Sequence, residues 1–122
     1  YIDGNDLIYF YKLACVFTFP SKTETQGLVT VEAMLSALPV VAIGEMGTVD
    51  VMQGDNGGFM VKDNVEEFSK KTLELLQNAS LHKEKSEQAL KWGNKWKISS
   101  LTPKLLECYQ KAIDICKKRE SK

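Results

Sequence analysis

Glu24 and Glu32 stand eight positions apart in the run Pro20-Ser21-Lys22-Thr23-Glu24-Thr25-Gln26-Gly27-Leu28-Val29-Thr30-Val31-Glu32-Ala33-Met34. The spacing places them on either side of a strand-to-helix turn, with Gly27 where the helix would begin. The first N–H groups of a helix have no partner within it, and the helix dipole turns them into an anion site. Glycine lets that backbone come close to what it binds. One carboxylate precedes these donors and the other follows about a turn and a half later. A diphosphate with hydroxyl-bearing sugars at both ends would match this order of groups, and a nucleotide-sugar has that form. Each glutamate also has a plainer reading. Glu24 suits the helix dipole by position alone, and Glu32 alone reads as a solvated helix residue.

The whole run resembles the retaining glycosyltransferases of family 4. Their signature is Glu, seven residues, Glu, matched by Glu24 and Glu32 with Pro-Ser before and Glu-Ala-Met after. Leu38-Pro39-Val40-Val41-Ala42 and Asn56-Gly57-Gly58-Phe59-Met60-Val61 are similar to the same family. The resemblance covers Tyr1 to Val61 and weakens to general pattern beyond. It implies that Glu32 binds the donor ribose. It implies that Glu24 contacts the transferred sugar near the reacting carbon, orienting hydroxyls or stabilising positive charge, and Glu24 is the catalytic candidate. Whether it acts as a nucleophile stays open. Thr25, Gln26, Gly27, Leu28 and Val29 complete the substrate-binding stretch, the last three offering backbone N–H groups to the diphosphate. The family usually works without a bound metal, so no metal and no other cofactor is expected, the nucleotide-sugar being a substrate. Gln26 stands where many members carry an aromatic residue. The Thr23-Glu24-Thr25-Gln26-Gly27 variant is most similar to the enzymes that glucosylate diacylglycerol. UDP-glucose and a lipid acceptor are the substrates this resemblance implies.

The family fold is two Rossmann-like domains facing a cleft, with the nucleotide on the C-terminal one. The chain is expected to be a partial C-terminal donor-binding domain: residues 1–62 an α/β half-sheet, residues 63–122 a helical portion. Starting at Tyr1 without methionine, it is expected to be an excerpt. The family's phosphate-binding Arg and Lys, and the acceptor-binding N-terminal domain, would precede Tyr1. The isolated chain is therefore expected not to catalyse transfer.

The elements that must position these groups follow from periodicity. Gly4-Asn5 caps a helix to about Leu13. Cys15–Phe19 reads as a strand ended by Pro20. Residues 27–37 read as a helix whose apolar stripe is Leu28, Val31, Leu35 and Leu38. Val40–Ile43 is apolar on both faces, as in a buried parallel strand. A short helix near 48–53 and a strand over Gly58–Val61 follow. The remainder is helical: Val65–Gln77 with Phe68, Thr72, Leu75 and Leu76 on one side, Leu81 to about Lys97, and a last helix opened by Thr102-Pro103. That helix carries an apolar stripe of Leu105, Leu106, Tyr109, Ile113 and Cys116. The alternation argues for about three parallel strands, half of a Rossmann-like sheet, with flanking helices. Ligands of such sheets bind at the carboxyl ends of the strands. Gly44-Glu45-Met46-Gly47-Thr48 lies at that same edge, either closing over the donor or serving as a plain turn.

Composition limits the partners. The formal net charge is zero, which gives no basic field for nucleic acid. No apolar run approaches the roughly 20 residues of a membrane span. Cys15, Cys108 and Cys116 lack metal-ligand spacing and fit reduced thiols, so the expected compartment is the cytoplasm. Lys117-Lys118-Arg119 reads as a solvated helix end, or as a peripheral contact with the inner face of a membrane that would suit a lipid acceptor. Trp92 and Trp96 read as packing residues or, alternatively, as an acceptor surface. The truncated side of the sheet is expected to expose residues 15–19 as an edge open to self-association. Two other classes stay in view: a nucleotide-sugar epimerase on the same fold, and a non-catalytic binding or assembly module working through the helical half.

Overall fold

A computed structural model describes Ile2 and residues 4–120, the side chain of Glu120 aside. Tyr1, Asp3, Ser121 and Lys122, including both ends of the expected 1–122 domain, lie outside the described residues. Three parallel strands, β1 (Phe17–Phe19), β2 (Val40–Ile43) and β3 (Gly58–Val61), form one sheet in the order β1-β2-β3. Phe17 pairs with Val40, and Val40 with Gly58. The helices are α1 (Gly4–Leu13), α2 (Leu28–Leu35), α3 (Gly47–Val51), α4 (Val65–Gln77), α5 (Ala79–Gly93) and α6 (Ile98–Glu120). A single 3₁₀ turn, Asn94–Trp96, joins the last two. The expected α/β half-sheet with a helical C-terminal part is the architecture observed.

The central strand is covered on both faces, which explains its unbroken apolar sequence. Val40 and Ala42 pack in one cluster with Val31, Ala33 and Met34 of α2, Val51 of α3 and Ala89 of α5. Val41 and Ile43 alternate to the opposite face, where α4 lies on β2 and β3. Asn64 and Asn78 start α4 and α5 by accepting the N–H groups of Glu67 and Leu81 at 2.9 and 3.0 Å. The second helix therefore begins at Ala79 rather than Leu81.

Four further expectations need correction. The strand expected from Cys15 begins at Phe17, because the Cys15 carbonyl lies 2.7 Å from His82 Nε2 instead of in the ladder. In α2, Val31 and Leu38 of the expected stripe are buried and Leu35 packs against the core, joined by Thr30, Ala33 and Met34, whereas Leu28 is 56% exposed. In α4, Leu75 is buried but Leu76 is exposed. The last helix starts at Ile98, not at Thr102. Lys97 O already accepts from Ser100 and Leu101 N–H, and Thr102 Oγ1 donates to Ile98 O at 2.8 Å. Pro103 thus lies inside α6, where it withholds one helical donor. The α6 stripe of Leu105, Leu106, Tyr109, Ile113 and Cys116 is exposed, because α6 packs chiefly on the 3₁₀ turn at its own start.

Candidate functional site

The carboxyl ends of the three strands carry three loops that are fastened to one another. Gly47 N–H, after β2, donates to the Glu24 carbonyl at 2.9 Å. Lys22, after β1, pairs with Asp63, after β3, at 2.5 Å. Gly44 N–H donates to the Val61 carbonyl at 2.9 Å. The turn from Glu24 to Gly27 is therefore held from behind by the start of α3.

Two glycines make that close fit possible. Gly27 sits at the helix start with φ 68°, a left-handed conformation that suits glycine. A Cβ on Gly47 would lie 2.5 Å from both the carbonyl carbon and the oxygen of Thr25. The Gly44–Thr48 segment is thus the backing of the Glu24 turn.

Gly27 has no side chain with which to cap α2, and Glu24 supplies an acceptor from three residues upstream. Glu24 Oε1 accepts from Gln26 N–H at 2.9 Å and from Gly27 N–H at 3.0 Å. The Gln26 donor, then the Gly27 donor, hold its carboxyl below the ordinary carboxylate range. With the Gly27 N–H engaged by Glu24, the donors left without an acceptor at the helix start, among the described residues, are those of Leu28 and Val29. Thr25 and Gln26 are exposed beside them.

Glu32 lies further along α2, roughly 7–8 Å from Gly27 along the axis. It is exposed, one turn beyond the exposed Leu28, so both occupy the side of α2 turned away from the core. Tyr11 of α1 donates its hydroxyl to Glu32 Oε2 at 3.1 Å. Burial first, and then the charge and hydrogen bond of Glu32, raise the Tyr11 phenol from 10.0 to about 12. Between α1 and α2 runs a cavity of about 470 Å³, lined by Leu7, Ile8, Tyr11, Glu32 and Leu35 among others. Leu7 and Ile8 give it an apolar wall.

The structure thus brings all seven proposed site residues, Glu24 through Val29 and Glu32, onto one turn and the helix that follows. It adds Tyr11, which the sequence reading missed, and puts Gly47, read there as part of the loop at the same edge, behind the turn. Tyr11 lies 21 positions from Glu32, beyond any local periodicity. Trp92 and Trp96 pack against the core cluster, and Trp92 Nε1 donates to the Val51 carbonyl at 2.6 Å. No three acidic, histidine or cysteine side chains converge as a metal site requires, among the described residues.

A model of the group 1 glycosyl transferases matches residues 1–78, more than half of the chain. The chain belongs to that family. The glycosyltransferase likeness extends to individual proteins. An uncharacterised glycosyltransferase of Methanocaldococcus jannaschii is 28% identical over 112 residues, covering 90% of this chain and 32% of that protein. The sulfoquinovosyl transferase SQD2 of Arabidopsis thaliana is 44% identical over 57 residues, 47% of this chain and 11% of the relative. The alpha-monoglucosyldiacylglycerol synthase of Acholeplasma laidlawii is 33% identical over 82 residues, 66% and 20% of the two chains. The resemblance to the family 4 enzymes therefore holds. The chain spans a third or less of the length of these relatives. Among the described residues no helix is long and apolar enough to cross a membrane.

Proposed function

We propose that this chain is the nucleotide-sugar-binding part, residues 1–62 with a helical portion 63–122, of the C-terminal domain of a retaining glycosyltransferase. One observation carries the reading. Glu24, the unbonded Leu28 and Val29 N–H groups, and Glu32 succeed one another along a single turn and helix at the carboxyl edge of a parallel sheet. The helix start offers donors for the diphosphate. The Glu32 carboxylate accepts the two ribose hydroxyls, a role suited to an acceptor-only group. Glu24 keeps Oε2 outside its two backbone bonds. That oxygen faces the transferred sugar, where a lowered pKa keeps it anionic.

The donor is UDP-glucose and the acceptor a lipid. The diacylglycerol in one relative's name and the resemblance of Thr23–Gly27 to the enzymes that glucosylate diacylglycerol support this choice. The reaction needs no metal from this chain, and the acceptor binds through a second domain. On this reading the 122-residue chain alone does not transfer sugar. The protein is cytoplasmic, with peripheral contact at the inner membrane face.

Calorimetric titration of the whole protein with UDP-glucose, wild type against Glu32→Ala, tests the assignment. Loss of a charge-assisted ribose contact should cost about 1.5–3 kcal/mol, roughly ten- to a hundredfold in affinity. Unchanged affinity would return Glu32 to an ordinary helix residue. Free nucleotide released without an acceptor, together with a changed sugar, would favour the epimerase. One observation favours an assembly module instead: the uncovered apolar stripe of α6. Absence of any sugar transfer by the whole protein would give that reading precedence.

A further inference from the structure

Tyr11 has a place in the structure that α1 does not otherwise explain. Of the residues of α1, Gly4 to Leu13, it is the one that is not exposed. Its ring packs on Phe17 of β1, centroids 5.8 Å apart at 59°, and against the core cluster. Its hydroxyl reaches across to α2 and ends on Glu32 Oε2. The Glu32 carboxylate has no other hydrogen bond among the described residues, which leaves Oε1 unengaged.

An exposed glutamate on a helix samples many rotamers, and binding must freeze them. A tyrosine with its ring wedged in a core is nearly fixed, having two side-chain torsions. We propose that Tyr11 is a positioning residue for Glu32: by occupying Oε2 it fixes the carboxylate and leaves Oε1, with its two acceptor sites, to receive the ribose hydroxyls. The inference rests on the reading of Glu32 as the ribose acceptor. It assigns α1 a task in donor binding, since the helix carries the donor that orients the acceptor. The phenol, raised to about 12, stays protonated and able to donate throughout the ordinary range of assay pH. Both partners of that bond line the cavity between α1 and α2.

Tyr11→Phe removes the hydroxyl and keeps the ring on Phe17, so folding is retained, and circular dichroism checks it. The test is a double-mutant cycle with Glu32→Ala in the whole protein, read by calorimetry with UDP-glucose and with GDP-mannose. Tyr11→Phe should weaken binding by roughly three- to tenfold, the range of one hydrogen bond. In the Glu32→Ala background it should change nothing. Wild-type affinity in Tyr11→Phe, alongside a large loss in Glu32→Ala, overturns the proposal and leaves the donor reading intact. So does tighter binding, which would make Tyr11 a competitor for Glu32, or an equal loss in both backgrounds, which would place its effect elsewhere. If wild type binds neither nucleotide-sugar, or Glu32→Ala binds as wild type does, the donor reading fails and the proposal with it.

Discussion

The helices α2 and α6 carry apolar stripes of similar appearance and meet opposite fates. In α2, Met34 and Ala33 are fully buried under the sheet. In α6, Leu106 is 61% exposed and the rest of its expected stripe is uncovered as well. The difference lies in tethering. α2 is the crossover between two parallel strands, so both its ends are fixed to the sheet and its apolar side must face it. Among the described residues, α6 packs chiefly at its start, on the 3₁₀ turn. Periodicity announces that a helix has an apolar side. Connectivity decides whether this chain covers it.

The largest effect should come from Met34→Ala, costing about 2–5 kcal/mol in chemical denaturation as a buried side chain is truncated. Leu106→Ala should stay within about 0.5 kcal/mol, as at an exposed site. Equal costs would break the comparison and mean that α6 is covered in solution. Next, Gly47→Ala should destabilise by roughly 1–3 kcal/mol, because its Cβ would press on the Thr25 backbone. It should also move the Gln26 and Gly27 amide resonances, which report the Glu24 turn. A silent substitution would show that the loops after β1 and β2 are not fastened together.

The smallest effect concerns Glu24 itself. Its carboxyl is lowered in the folded chain, so its bonds to Gln26 and Gly27 are fully present above the ordinary carboxylate pKa of about 4.3. They should be lost as pH falls through the lower folded value. Amide shifts of Gln26 and Gly27 followed against pH should therefore turn over below about 4.3. A midpoint at or above that value would mean that the carboxylate does not cap the turn. The comparison with α6 sharpens here as well, since Gln110 and Asp114, bonded on its exposed surface, should melt with the helix and not with the sheet.

Much of the fold was legible because it is set by local pattern. The apolar run Val40–Ile43 and the strand-helix alternation each reflect interactions within a few residues. The strand boundary at Cys15 was not, because His82 of α5 takes its carbonyl. The start of α6 was misplaced because proline in a first turn is the stronger local signal. Here the helix instead begins earlier and tolerates Pro103 within it.

The candidate site divides the same way. The order Glu24, Gly27, Glu32 is written in the chain, and it alone specifies two carboxylates around a helix start. Tertiary structure decided how each is used. It placed Gly47 behind the turn, committed Glu24 Oε1 to two backbone donors, and brought Tyr11 onto Glu32 across 21 positions. Short-range geometry follows from residue type and spacing. Contacts between distant segments follow from which surfaces the sheet brings together, and no local pattern encodes that.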